Sequence, residues 1–146
     1  MNQGRNWSQT NSGIPGNTVE FGLKLFCSPD GEEQTIITYD RARQAFIVDF
    51  EKASNDKTLE YPRRVGAQTA QHRQVVPYRL ADTENLRLDL FVDRSVVKAF
   101  VNSEICLVQR VYPMRDDSKQ FRLFTTNGAL TVQGIVKWEM DVTNPW

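Results

Sequence analysis

The chain has 146 residues, 40% of them hydrophobic, and its 18 Lys and Arg balance 18 Asp and Glu; this is apolar material for one core and a length for one domain. A net charge of zero supplies no long-range field to gather nucleic acid or an anionic membrane, so neither is an expected partner. No apolar run approaches the roughly 20 residues needed to cross a bilayer, and the polar stretch from Met1 to Asn17 carries no visible targeting signal.

Along the chain the hydrophobic period is two, not 3.6. Residues 1–18 are rich in Asn, Gly, Ser and Gln and read as a polar segment or as an edge strand around Trp7. From Val19 the alternation is explicit: Phe21, Leu23, Leu25 and Cys27 share one parity, and Ser28-Pro29-Asp30-Gly31 closes a turn. Gln34 to Tyr39 and Ala45 to Phe50 follow as two more strands, joined by the polar Asp40 to Gln44, which makes a three-strand antiparallel meander. Between Glu51 and Asp82 the pattern dissolves, with only Val75-Val76 and Tyr78 to Leu80 hinting at a short strand.

The pattern returns at Leu86, Leu88, Leu90 and Val92, whose opposite face carries Arg87, Asp89, Phe91 and Asp93. Asp93-Arg94-Ser95 and Asn102-Ser103 then turn the chain through Val96 to Val101 and Ile105 to Tyr112, predicting two consecutive hairpins ended by Pro113. A strand at Phe121 to Phe124 meets Asn127-Gly128, the strongest hairpin signal in the chain, and returns as Ala129 to Gln133; Gly134 marks a bulge or bend before a final strand at Val136, Trp138 and Met140. About eight or nine strands without a helix predict an all-β fold: a two-sheet antiparallel β-sandwich of the lectin or glucanase jelly-roll type over residues 19–146, with a closed barrel as the alternative.

Chemistry is sparse in this pattern. Cys27 and Cys106 lie in strand-like runs and read better as free thiols than as a disulfide, and neither has zinc-ligand spacing. His72 is the only histidine, in a stretch without a Ser or Cys nucleophile, and reads as a solvated loop residue. Asp89 and Asp93 share a strand face but lie roughly 13 Å apart at about 3.3 Å per residue, too far for a retaining glycosidase pair at about 5 to 5.5 Å. Asp30, Glu32, Glu33, Asp116 and Asp117 sit in turns and are expected to be solvated with ordinary pKa values. No catalytic residue, metal or cofactor is expected.

Several segments resemble the C-terminal β-sandwich of glycoside hydrolase family 32, the invertase, levanase and inulinase family that cleaves β-fructofuranosides. They are Phe21-Gly22-Leu23-Lys24-Leu25 with Cys27 to Thr35, the hairpin Leu90-Phe91-Val92-Asp93-Arg94-Ser95-Val96-Val97 running into Phe100-Val101-Asn102, Gln109 to Pro113, Phe121 to Phe124, and the tail from Trp138 to Trp146. The resemblance implies a partner, the five-bladed propeller that carries the family's catalytic acids. The propeller's Trp-Met-Asn-Asp-Pro-Asn-Gly, Arg-Asp-Pro and Glu-Cys motifs do not occur here; Arg115-Asp116-Asp117 and Glu104-Ile105-Cys106 are only partial echoes. The sequence also departs from the family at Lys98-Ala99, where glutamate and a β-branched residue are usual, and has fewer strands than usual before Phe21.

The leading expectation is therefore a non-catalytic module that packs beside a catalytic propeller domain or chain and stabilises or oligomerises it, with Arg94, Lys98 and Phe100 as interface candidates and a homodimer as another way to cover that surface. The alternative is a carbohydrate-binding module for fructan or another sugar, with Trp7, Tyr61, His72, Arg73 and Tyr78 as candidate contacts. Met1 at the head of the chain fits a protein that starts there and an excised domain equally well.

Overall fold

A computed structural model of the chain describes residues 2–10, 20–61 and 72–140, with side chains from Glu20 onward within those limits and up to Glu139. The described residues form ten strands and no helix. They are β1 (Asn2–Thr10), β2 (Glu20–Cys27), β3 (Thr35–Asp40), β4 (Ala45–Asp49), β5 (Arg73–Pro77), β6 (Leu86–Asp93), β7 (Val96–Val101), β8 (Ile105–Arg110), β9 (Gln120–Thr126) and β10 (Thr131–Met140). Every pairing is antiparallel, in two five-stranded sheets ordered β5-β4-β3-β2-β9 and β10-β1-β6-β7-β8.

In the first sheet, the predicted meander is present as β2-β3-β4 and is extended by β5 on one side and β9 on the other. Phe21, Tyr39, Phe46 and Val76 lie in one register row, and Leu23, Ile37, Val48 and Gln74 in another. Phe21, Leu23, Ile37, Tyr39, Phe46 and Val48 are all at most 2% exposed, and burying side chains of this kind contributes about 1.5–3 kcal/mol each. Gly22 is required by its neighbour strand: a Cβ there would stand 2.0 Å from the Ile37 carbonyl oxygen and 2.8 Å from Thr38 Cα. The Thr38 hydroxyl meanwhile donates to the Phe21 carbonyl at 3.1 Å.

In the second sheet, the alternation of β6 sorts as expected: Leu86, Leu88 and Leu90 are buried while Arg87, Phe91 and Asp93 are exposed. Both predicted hairpins form, β6–β7 through Arg94 and Ser95 and β7–β8 through Asn102, Ser103 and Glu104. Arg94, Asn102 and Ser103 take positive φ of 50, 47 and 59°, the left-handed backbone that such tight connections need. Asn2–Thr10 does form a strand, and it pairs on both sides, with β6 and β10, so it is not an edge; the edges of this sheet are β10 and β8.

One turn behaves differently from its sequence signal. Asn127 and Gly128 do turn, with φ of 52 and 139°, but β9 pairs with β2 and β10 with β1, so the turn connects two sheets instead of closing a hairpin. Local turn chemistry sets the reversal; the apolar rows of each sheet decide which strand lies alongside. The register does shift beside Gly134, which stands opposite Ser8 while Gln9 pairs with Val132, and the two predicted terminal strands are one, β10. The expectations for Val19 and for the tail beyond Met140 lie outside the described residues.

Candidate functional site

The outward face of the β6–β7 hairpin carries a depression of about 390 Å³ lined by Phe91, Asp93, Val96, Lys98 and Phe100. Strand alternation puts these residues on one side: Phe91 stands opposite Lys98, Asp93 opposite Val96, and Asp89 opposite Phe100. The Phe91 and Phe100 rings meet edge to face, with centroids 5.6 Å apart and planes at 84°, so they form an apolar corner. Phe91 remains 40% exposed, and Asp93 and Lys98 are also exposed. Gly4 of β1 follows Phe91 in the same row, and Trp138 of β10, 48% exposed, follows Gly4. Lys98 and Phe100, two of the interface candidates, thus share this depression, while Arg94 sits in the turn at its end. The sequence reading placed Phe91 and Asp93 on the correct face but did not bring them into a site with Val96.

The proposed sugar contacts are distributed differently. Tyr61 and His72 come together: Tyr61 packs edge-on to Phe50 at 4.8 Å, His72 lies 6.2 Å from Tyr61 and 6.1 Å from Phe50, and Tyr112 is 6.3 Å from Tyr61. Burial pushes the Tyr61 hydroxyl above the usual tyrosine pKa. His72 Nδ1 is buried without a hydrogen-bond partner among the described residues, so this histidine is not the solvated loop residue expected. Arg73 is next to this group but its Nε bonds Asp49 at 2.6 Å. Tyr78 is only 9% exposed, stacks edge-on to Tyr39 and accepts that tyrosine's hydroxyl on its carbonyl at 3.1 Å. The backbone of Trp7 belongs to β1, in the other sheet, and its side chain lies outside the described residues.

Of the turn carboxylates, Asp30, Glu32, Asp116 and Asp117 are exposed as expected, while Glu33 is buried and Asp30, Glu33 and Asp117 depart from their ordinary pKa. Glu33 is fully buried and accepts from Asn55 N at 2.7 Å, Met114 N at 2.9 Å, Arg115 N at 3.1 Å and Ser118 Oγ at 2.6 Å. Burial pushes its pKa up, and those donors outweigh burial, leaving it below the ordinary glutamate value. Asp30 is held well below the usual carboxylate range by the Ser28 hydroxyl, then by Arg115 and the Glu32 amide. Arg115 bridges Asp30 at 2.6 Å and Asp117 at 2.7 Å, and the Asp117 carboxyl is lowered chiefly by that contact. The signal for Glu33 was present in the sequence: the buried parity of Thr35, Ile37 and Tyr39 extends back to it. The turn residues around it concealed that signal.

These surroundings stabilise carboxylate anions. A glycosidic general acid needs the opposite, a carboxyl whose pKa is raised. Among the described residues no group of three or more His, Cys, Asp and Glu is placed to hold a metal ion.

Residues 3–139 match the family described as Glycosyl hydrolases family 32 C terminal. The levanase of Bacillus subtilis strain 168 is 30% identical over 122 residues, which cover 83% of this chain and 16% of that enzyme. The crystal structure of exo-inulinase from Aspergillus awamori superposes with a TM-score of 0.68 at 22% identity, over 92% of this chain and 23% of that one. Carbohydrate binding module CBM66 from Bacillus subtilis gives 0.59 at 10% identity, over 94% of this chain and 75% of that one. The chain therefore spans about a sixth of the levanase and under a quarter of the exo-inulinase. At these structural identities the likeness is one of fold, the lectin-like β-sandwich of two antiparallel sheets.

Proposed function

The chain belongs to the C-terminal domain family of the family 32 glycosyl hydrolases, and on that premise we propose that it is a non-catalytic β-sandwich module whose work is to brace a catalytic propeller of that family. The observation that carries the reading is the extent of the match: it runs through nearly the whole chain, yet takes in only 16% of the levanase. The carboxylates support it as well. Glu33, Asp30 and Asp117 are lowered, not raised, and their oxygens are engaged by backbone, hydroxyl and guanidinium donors. Retaining hydrolysis asks for two carboxyls about 5 to 5.5 Å apart, one nucleophilic and one protonated at working pH.

The test has two arms. The purified chain, incubated with sucrose, inulin and levan, is expected to release no fructose; release would overturn the reading. Appended to a family 32 propeller that lacks a C-terminal module, the chain is expected to raise the propeller's melting temperature, and an unchanged melting curve would overturn the bracing role.

A carbohydrate-binding role is the alternative reading. The fold shared with CBM66 and the open depression on the β6–β7 face favour it.

A further inference from the structure

We propose that β10 is a self-association edge: two copies of this chain pair their β10 strands antiparallel about a two-fold axis at Trp138. This goes beyond the bracing of a propeller and does not rest on it.

The second sheet is open at β10. Among the described residues no strand pairs with its outer side, and Ile135, Val136 and Trp138 leave about half of their surface in water. A long edge with apolar side chains is a template for another strand unless its charges prevent the match. The charges of β10 do not prevent it; they select it. The edges of the two sheets are β5, β9, β8 and β10. β5, β8 and β9 each carry an arginine and no acid, whereas β10 carries both Lys137 and Glu139. Of these edges, only β10 can meet a copy of itself with unlike charges opposed.

The register follows from the same two residues. Opposed residues of an antiparallel pair share a face, so a two-fold axis between identical strands must pass through a residue. With the axis at Lys137 or Glu139, like charges stand face to face, which is destabilising. An axis at Gln133, Gly134, Ile135 or Val136 sets both charges against uncharged residues. At Trp138 alone, Lys137 of each copy stands opposite Glu139 of the other, twice over by symmetry. Lys137 Nζ already lies 3.1 Å from Glu139 Oε1 within one chain, and both side chains are exposed. Cross-strand neighbours are about 4.5–5.5 Å apart at Cβ, so the four groups form a square of alternating sign. The two Trp138 residues meet at the axis as an aromatic cross-strand pair, and Val136 stands opposite Met140.

This edge is separate from the surface assigned to a propeller. Lys98 and Phe100 belong to β7, and β1 and β6 lie between that strand and β10. The self-complementary charge pattern also fits a second copy specifically, because only a two-fold axis requires an acid and a base at matching distances from one residue.

The experiment is sedimentation of the full chain over a range of concentrations, repeated on Lys137→Glu, Glu139→Lys and the double variant carrying both. Wild type is expected to form a reversible dimer. Each single variant opposes like charges at two places and is expected to dissociate roughly tenfold or more as readily, while the double variant restores the dimer. The decisive arm mixes the two single variants: two acids then face two bases, and a one-to-one heterodimer is expected from chains that do not pair alone. Circular dichroism and melting check that each variant is folded; if a reversal unfolds the chain, Lys137→Gln and Glu139→Gln take its place, each expected to weaken the dimer several-fold. A wild type that stays monomeric, a dimer that no substitution weakens, or single variants that remain apart when mixed would each overturn the proposal. The bracing role is read from a propeller's melting temperature, so either idea can fail without the other.

Discussion

Glu33 shows how much one buried carboxylate organises. Its two oxygens hold three backbone amides and a hydroxyl from the segments around Asn55 and from Met114 to Ser118. Removing the acceptor leaves those donors without a partner, so Glu33→Ala is expected to cost about 3 kcal/mol or more in chemical denaturation. The pH dependence has a definite sign. The folded pKa is lowered, so the contribution is complete above the unfolded glutamate value of about 4.3 and is lost as pH falls through the folded value. Wild-type and Glu33→Gln stabilities are therefore expected to converge below about pH 4; a gap that stays constant from pH 7 to 3 would refute this. Gly22→Ala places a methyl against the Ile37 carbonyl at 2.0 Å and is expected to cost about 2 kcal/mol or more by forcing β2 away from β3. The two thiols differ in reach: Cys106 is exposed and Cys27 is buried, and both are free. A thiol reagent is expected to titrate one cysteine in the native chain and the second only on unfolding.

At the scale of elements, the edges of the two sheets are protected unequally. β5 is five residues long and ends in Pro77, and β9 presents Gln120, Arg122, Thr125 and Thr126 among its exposed residues; short, proline-marked or polar edges resist pairing with other chains. β10 is ten residues long, and Ile135, Val136 and Trp138 are each about half exposed, with Lys137 and Glu139 flanking Trp138. Val136→Lys is expected to raise the concentration at which the chain scatters light, with little change in melting temperature. Most strands were legible because β2, β6 and β7 bury every second residue, the pattern a half-buried sheet imposes. The partner of each strand was less legible. Asn127-Gly128 sets a reversal over two residues, while the choice between β9 and β1 as the neighbour of β10 depends on rows more than 100 residues apart. The candidate site was half legible for the same reason: alternation put Phe91 and Asp93 on an outward face, but only the register of β6 on β7 brings Val96, Lys98 and Phe100 to them. The Tyr61–His72 group was legible only as aromatic residues in irregular chain.

At the scale of the whole molecule, each sheet joins distant parts of the sequence: β2 pairs with β9, and β1 pairs with β10. The clamp at Glu33 is the sharpest instance, since its bond to Ser118 spans 85 residues. Closures of this length must be made before the contacts they bring can reward them, which places the chain among slow-folding β topologies. During synthesis the first three strands of the meander leave the ribosome long before Met114 and Ser118 exist, so the Glu33 carboxylate must stay hydrated and its turn unfinished. A chain cut after Arg110 is accordingly expected to leave Cys27 open to a thiol reagent, and one that runs past Ser118 and is released to close that access; the last fastening of the first turn waits on the last third of the sequence.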